Sequence, residues 1–367
     1  MNRLLHIVSL LVVVALNAVA QPQATLLERQ HDFGVILEAN GKVTCRLRVV
    51  NTGTQPLLIV KAQAACGCTA VDYPDSPIEP GDTATVSVTY NPSGRPGQFT
   101  KQVLLTTNTI PRRTTLEISG NVIPTDATLD KQYPLQAGPL RIGQADIPFG
   151  ELIKGTNKTQ YLSCYNASTD TIVVQVTGSK SHIHPAIVPD TVPPARVTAL
   201  TVHYLSGHAP QWGLNVDTLS LTVHPLNDAA GVTAHTAQVH VMAQVIEDFS
   251  HLSDRQRLDA PVVSVDCGER LDFGSIDAAG PVTRTFNIAN KGKERLIVRR
   301  LWVPAGEGVT LKADKLDIKR GKAAAVTVTV DPTLQQGKVL NVPLTIMTND
   351  PAMPRVTVRL VGVIDKK

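Results

Sequence analysis

The chain holds 367 residues, with 35 Lys and Arg against 31 Asp and Glu and a formal net charge of +4. So small a surplus over that length excludes a general electrostatic affinity for nucleic acid. Aromatic residues make up 4 % and Gly and Pro stand at 25 each; with abundant Val, Thr, Ala, Leu and Ile, this describes short strands, tight turns and aliphatic cores.

The first segment reads as an export signal. Arg3 supplies a positive start, residues 10–16 a short apolar core, and Ala18-Val19-Ala20 the small-residue pattern that a signal peptidase accepts. Residues 1–20 are expected to be removed, leaving Gln21 first. The apolar run is shorter than the roughly 20 residues of a spanning helix. No Cys follows the cleavage point to carry a lipid, and no later stretch is long and apolar enough to be a transmembrane segment. The mature protein is therefore expected to be exported: periplasmic, outer-membrane-associated or secreted.

Next comes a threefold repeat. Phe33-Gly34, Phe149-Gly150 and Phe273-Gly274 each precede an alternating strand that ends in Asn: Asn51, Asn166 and Asn290. Residues two apart on a strand share a face, so each strand buries one side. The Asn suits a turn through side-chain bonds to nearby backbone and tolerance of left-handed geometry. A second strand follows, then a turn, then a cleanly alternating strand. In the first repeat this is Pro80-Gly81, then Ala84, Val86, Val88 and Tyr90 against Thr83, Thr85, Ser87 and Thr89. Two more strands close each unit. About seven half-buried strands per repeat predict three tandem antiparallel β-sandwiches, over residues 26–124, 136–247 and 262–365. The segment 124–136 reads as a polar, turn-rich linker. The segment 248–261 reads as a charged one, with a short helix over 253–258. Linkers this short predict a semi-rigid rod.

The first repeat resembles a bacterial family, the domain of unknown function 1573. The matching residues are His31-Asp32-Phe33-Gly34, Asn51-Thr52-Gly53, Pro56-Leu57, Cys66-Gly67-Cys68-Thr69, Ile78-Glu79-Pro80-Gly81 and Tyr90-Asn91-Pro92. The third is similar through Leu271-Asp272-Phe273-Gly274, Asn290-Lys291-Gly292 and Val330-Asp331-Pro332, without the Cys-Gly-Cys. The second matches in outline. The resemblance implies an immunoglobulin-like fold akin to Hydin and major-sperm-protein domains and a Gram-negative envelope or secreted location. It implies no activity.

Five Cys remain as chemistry-bearing residues. Cys66-Gly67-Cys68 is the leading candidate, because Gly67 would let the chain turn tightly enough to join two sulfurs. Cys45, aligned with Gln160 and Arg284, is expected at a rim near the same end of the sandwich. Three readings stay open: a disulfide involving Cys66 or Cys68, free or reversibly oxidised thiols, and a thiolate metal site. The metal reading is weakened by the lack of a Cys-x₂-Cys pair. Cys164 aligns with core positions and is expected to be a buried, inert thiol. Cys267 is expected to be free, ahead of its repeat's first strand.

Histidines crowd the second repeat. His182 and His184, two apart, would face the same way on a strand and are the weak metal candidates. No Gly-x-Ser-x-Gly, phosphate loop, His-Glu-x-x-His or calcium loop occurs, so no enzyme, cofactor or firm metal site is expected. Residues 262–367 are rich in cations, with Arg299-Arg300 and a Lys312/Lys315/Lys319/Arg320/Lys322 cluster. These point either to an ordinary solvated face or to contact with an anionic surface. The sequence thus favours a non-catalytic envelope scaffold or binding module with an unidentified protein or cell-surface partner. The alternative is a redox or metal-handling protein acting through Cys66 and Cys68.

Overall fold

The computed structural model describes residues 21–228, 234–277, 279–335 and 337–365; residues 1–20, expected to be an export signal, lie outside them. The alternating stretches are pleated strands with one dry face. In the first unit they are β1 (Ala24–Leu26), β2 (Gln30–Leu37), β3 (Val43–Asn51), β4 (Ile59–Ala64), β5 (Thr69–Asp72), β6 (Thr83–Tyr90), β7 (Gly97–Thr107) and β8 (Arg113–Ile123). The second has β9 (Leu135–Ala137), β10 (Leu140–Ile142), β11 (Asp146–Ile153), β12 (Asn157–Asn166), β13 (Ile172–Thr177), β14 (Ile183–Val188), β15 (Thr191–Val192), β16 (Val197–Leu205), β17 (Gly213–Pro225) and β18 (His235–Ile246). The third has β19 (Val263–Val265), β20 (Arg270–Asp277), β21 (Val282–Asn290), β22 (Leu296–Trp302), β23 (Val309–Ala313), β24 (Asp317–Ile318), β25 (Ala323–Val330), β26 (Val339–Thr348) and β27 (Arg355–Asp365).

Six sheets pair into three sandwiches. Their orders are β1-β3-β6-β5 over β2-β8-β7-β4, β9-β10-β12-β16-β14 over β11-β18-β17-β13-β15, and β19-β21-β25-β23 over β20-β27-β26-β22-β24. Each closes on its own aliphatic core: Leu47, Val86 and Ile118 in the first, Leu200, Leu221 and Val241 in the second, Ile288, Val328 and Leu344 in the third. The ladders are antiparallel except one per sandwich, where β2, β11 and β20 run parallel to β8, β18 and β27.

The Phe-Gly pairs set the irregularity in that ladder. Each register shifts at the pair, and Gly34, Gly150 and Gly274 sit at φ of 64°, 70° and 66°. The glycine makes a bulge that an L side chain resists. The Asp32 and Asp272 carboxylates accept from the Gly34 and Gly274 amides at 2.9 and 2.8 Å. Gly274→Ala should therefore lower the unfolding free energy of the third sandwich by about 1–2 kcal/mol in a urea titration.

The three Asn residues are fully buried. Each Nδ2 donates to the carbonyl four residues on, that of Gln55, Asp170 or Glu294, at 2.8, 2.8 and 2.7 Å. It also donates across to Ile78, Val192 or Ile318 at 2.8, 2.9 and 3.0 Å. Each Oδ1 accepts from the amide two residues on, at 3.0 Å. The side-chain bonding expected of the Asn is thus present, whereas the left-handed geometry is not used. That conformation falls on the neighbouring turn, at Gly81, Gly321 and, in the second repeat, Ala195 (φ 86°, 67° and 55°).

The first linker differs from its sequence reading. It contains a helix, α1 (Asp126–Gln132), capped by Thr125. Leu129 and Tyr133, four apart, pack against Tyr165 of the second sandwich, and this burial holds a helix that polar composition concealed. Glu38 of the first sandwich accepts hydrogen bonds from the Gly94 amide, the Thr125 amide and the Thr128 hydroxyl at 2.7, 2.8 and 2.8 Å. Burial pushes its carboxyl up, but these bonds outweigh it and hold it below the usual carboxylate range.

The second linker carries the expected helix as α2 (Asp254–Asp259), with a capping box of Ser253 and Gln256. Beside it Arg299 grips Glu247 bidentately at 3.0 and 2.7 Å, and Arg300 donates to the Trp212 and Leu214 carbonyls at 2.9 and 2.7 Å. Arg299 and Arg300 therefore belong to the junction and not to a free basic face. Lys312, Lys315, Lys319, Arg320 and Lys322 are exposed. Among the described residues no helix is long and apolar enough to cross a membrane.

Candidate functional site

The connection from β4 to β5, residues 65–68, carries the only paired sulfurs among the described residues. Ala65 ends the β4 ladder by donating to the Gln102 carbonyl at 3.2 Å, and the Thr69 amide turns back to the Cys66 carbonyl at 3.3 Å. The turn brings Cys66 and Cys68 to a Cα separation of 5.3 Å, and they form a disulfide. Cys66 is half-buried, whereas Cys68 and Thr69 are buried. The Thr69 hydroxyl lies 3.6 Å from Cys66 Sγ and 3.7 Å from Cys68 Sγ.

Gly67 has a different role from the one its sequence position suggested. Its φ is not positive, and an added Cβ would meet nothing within 4 Å. The turn does not require glycine; Gly67 instead leaves bare backbone beside the bridge. The bridge spans a sequence separation of 2. A ring that short restricts the unfolded chain little, with an entropic gain of about 1.5 kcal/mol on the loop-closure model, half that of a 15-residue loop.

Cys45 lies near the expected end of the sandwich, two residues from the level of Thr69, but its side chain is buried in the core instead of open at a rim. It is buried in β3 opposite Val88 of β6, and Val71 of β5 lies on the far side of Val88. A whole strand separates Cys45 from β5, and burial pushes its thiol up. The rim reading came from the polar residues aligned with it. Those residues start from the same inward register and reach out: Gln160 and Arg284 donate to the bulge carbonyls of Pro148 and Phe273 at 3.2 and 3.4 Å. Cys164 is fully buried and pushed up to about 12 by burial, as suits an unreactive thiol. Cys267 is free, but it follows β19 and so does not precede the first strand.

The equivalent turn of the second sandwich, residues 178–182 between β13 and β14, holds a polar cluster. His182 Nε2 donates to Asp217 Oδ2 at 2.9 Å, and Lys180 Nζ donates to Asp217 Oδ1 at 2.6 Å. Burial pushes the Asp217 carboxyl up, but its bonds to Lys180 and His182 and their charge outweigh that and hold it below the carboxylate range. Tyr204, whose buried hydroxyl has no partner, packs edge-on to the His182 ring and is pushed up to about 12 by burial and the Asp217 charge.

His182 and His184 do not share a face. His182 lies in the turn, closed by the Lys180–Ile183 bridge, so strand parity begins only after it. His182 is buried and His184 is exposed opposite His203. His203 meets Thr159 at 2.9 Å, and His208 and His224 lie against the Ser181 and Pro225 carbonyls at 3.2 and 3.0 Å. Among the described residues no three His, Cys, Asp or Glu converge to hold a metal. In the third sandwich the same connection, residues 303–308, is made with Gly306 and Gly308 at φ of 84° and 56°.

A recess lies between the second and third sandwiches. Trp212, Phe249, Met347, Met353, Arg299 and Arg355 line a cavity of about 380 Å³. Lys154 and Arg299 stand 5.0 and 5.1 Å from the Trp212 ring centre. Trp212 and Asp217 carried no local sequence signal of these roles, and Thr69 was marked only as the last residue of the Cys66-Gly67-Cys68-Thr69 motif.

Fold and repeats define a tandem immunoglobulin-like β-sandwich protein. The family model Protein of unknown function (DUF1573) matches residues 24–122 and 267–364. Together these are more than half of the chain, which belongs to that family. No curated protein matches. A protein of unknown function from Porphyromonas gingivalis W83 is similar in structure, with 19% identity and a TM-score of 0.48 over 62% of this chain and 100% of that one. The ASH/PapD-like domain 7 of human CEP192 shows 14% identity and a TM-score of 0.27 over 31% of this chain and 92% of that one. Mouse cadherin-23 EC22-24 shows 11% identity and a TM-score of 0.24 over 94% and 99%.

Proposed function

We propose that the chain is a non-catalytic binding module of the bacterial cell envelope. The observation that carries this reading is the repeated open edge. β5, β14 and β23 each end a sheet with one strand neighbour, at the same place in all three sandwiches. An open edge accepts an added strand from a partner. Three such edges on units tied by Glu38, Arg299 and Arg300 would present a repeated surface at fixed spacing. The leader-like residues 1–20 support export. The exposed Lys312, Lys315, Lys319, Arg320 and Lys322 support contact with an anionic envelope surface.

The test is fractionation of the native host followed by cross-linked capture on the full mature chain. Recovery with the envelope and a specific protein or glycan partner is expected, with capture reduced when Ala70 and Ala186 on the edges are changed to Lys. A chain found in the cytoplasm, or capture unaffected by the edge substitutions, would reject this reading. The Cys66–Cys68 bridge favours a second, redox reading.

A further inference from the structure

Three sandwiches make the β4–β5 type of connection, and only the first uses sulfur. The second uses residues 178–182 and the third a glycine-bearing loop. The fold therefore closes this turn without a bridge. In the first sandwich the bridge is unequal: Cys66 is half-buried and Cys68 is buried. Gly67 places no side chain over it, and open space adjoins the Gly67 Cα. The Thr69 hydroxyl touches both sulfurs.

We propose that Cys66–Cys68 is an exchangeable disulfide that oxidises a protein dithiol. A thiolate of the dithiol attacks Cys66 Sγ, the more open sulfur. The Cys66–Cys68 bond breaks, its electron pair leaves on Cys68 Sγ, and a new disulfide joins Cys66 to the substrate. The Thr69 hydroxyl donates a hydrogen bond to the departing Cys68 thiolate, which then takes a proton from water. The second substrate thiolate attacks the substrate's own sulfur in the mixed disulfide and releases Cys66 as a thiolate, which is protonated in turn. The substrate loses two electrons and two protons and becomes a disulfide; the bridge gains both and becomes two thiols. Cys45 takes no part, because β6 stands between it and β5. Thr69 is a positioning residue for the leaving sulfur. This activity rests on the redox reading of the bridge and does not depend on the binding-module reading.

The experiment treats the full mature chain with reduced dithiothreitol, and separately with a reduced two-cysteine peptide, without denaturant at neutral pH. Acid quenching, alkylation and mass spectrometry then count thiols. One equivalent of oxidised probe per chain is expected, with Cys66 and Cys68 newly alkylated and Cys45 and Cys164 protected. Thr69→Val should slow the reduction by roughly tenfold, the worth of one hydrogen bond to a thiolate, at an unchanged melting temperature. Gly67→Leu should slow it by covering the bridge. Reduction that proceeds only at the rate of global unfolding would overturn the proposal. So would a Cys66→Ser/Cys68→Ser double variant that no longer folds, since the bridge would then be a staple. Partner capture by a folded double variant should be unchanged, which separates this proposal from the previous one.

Discussion

Replacing Asn290 by Ala is expected to lower the unfolding free energy of the third sandwich by about 3–5 kcal/mol. The residue is fully buried. Its amide nitrogen holds the Glu294 and Ile318 carbonyls at 2.7 and 3.0 Å, and its oxygen holds the Gly292 amide at 3.0 Å. Truncation leaves two acceptors and one donor without partners in a dry site, each costing about 1–3 kcal/mol before relaxation. Asn290→Asp should be similarly severe, since it loses both donor bonds and buries a charge. Trp302 lies in the third sandwich and Trp212 in the second, so the fluorescence change in urea that a Trp212→Phe background retains reports this transition. A loss below about 1 kcal/mol would show that the site relaxes and that the repeated Asn is not a structural pin.

The second large effect is expected at Asp217. Asp217→Ala should destabilise the second sandwich by about 3–5 kcal/mol, because it leaves buried His182 without its partner and releases Lys180. Asp217→Asn should cost less, since an amide oxygen still accepts one bond. The pH dependence has a definite sign. The folded carboxyl is held below its ordinary value, so its contribution is complete above the unfolded carboxylate pKa of about 4 and is lost as pH falls through the lower folded value. The wild-type melting temperature should therefore fall more steeply below about pH 4 than that of Asp217→Asn. Equal slopes would mean that the carboxylate is not what Lys180 and His182 stabilise.

Both effects bear on how much a sequence can say. Asn290 was visible as the end of a repeated strand, and its side-chain bonding to nearby backbone was expected. Its burial and its long-range bond to Ile318 were not. The end of the sandwich at which Cys45 sits was legible, but its burial was not, because aligned Gln160 and Arg284 are polar at their tips while starting from an inward register. His182 departs from the two-residue periodicity because the strand begins only at Ile183. Arg299 and Arg300 looked like part of a basic face because Glu247 and the Trp212 carbonyl are distant in the chain.

By itself the sequence determined the all-β class, the repeated sandwiches and the family that the first and third of them match. Alternation, Phe-Gly bulges and turn residues are local signals with periods shorter than one strand. It also singled out Cys66 and Cys68, two residues apart. The tertiary structure alone decided that these two bridge each other while Cys45 stays behind β6, that Thr69 touches both sulfurs, and that Asp217 joins Lys180 and His182. The Asp217–His182 pair spans 35 residues. Such contacts depend on which edges and turns two sheets bring together, and the composition of neither segment encodes that.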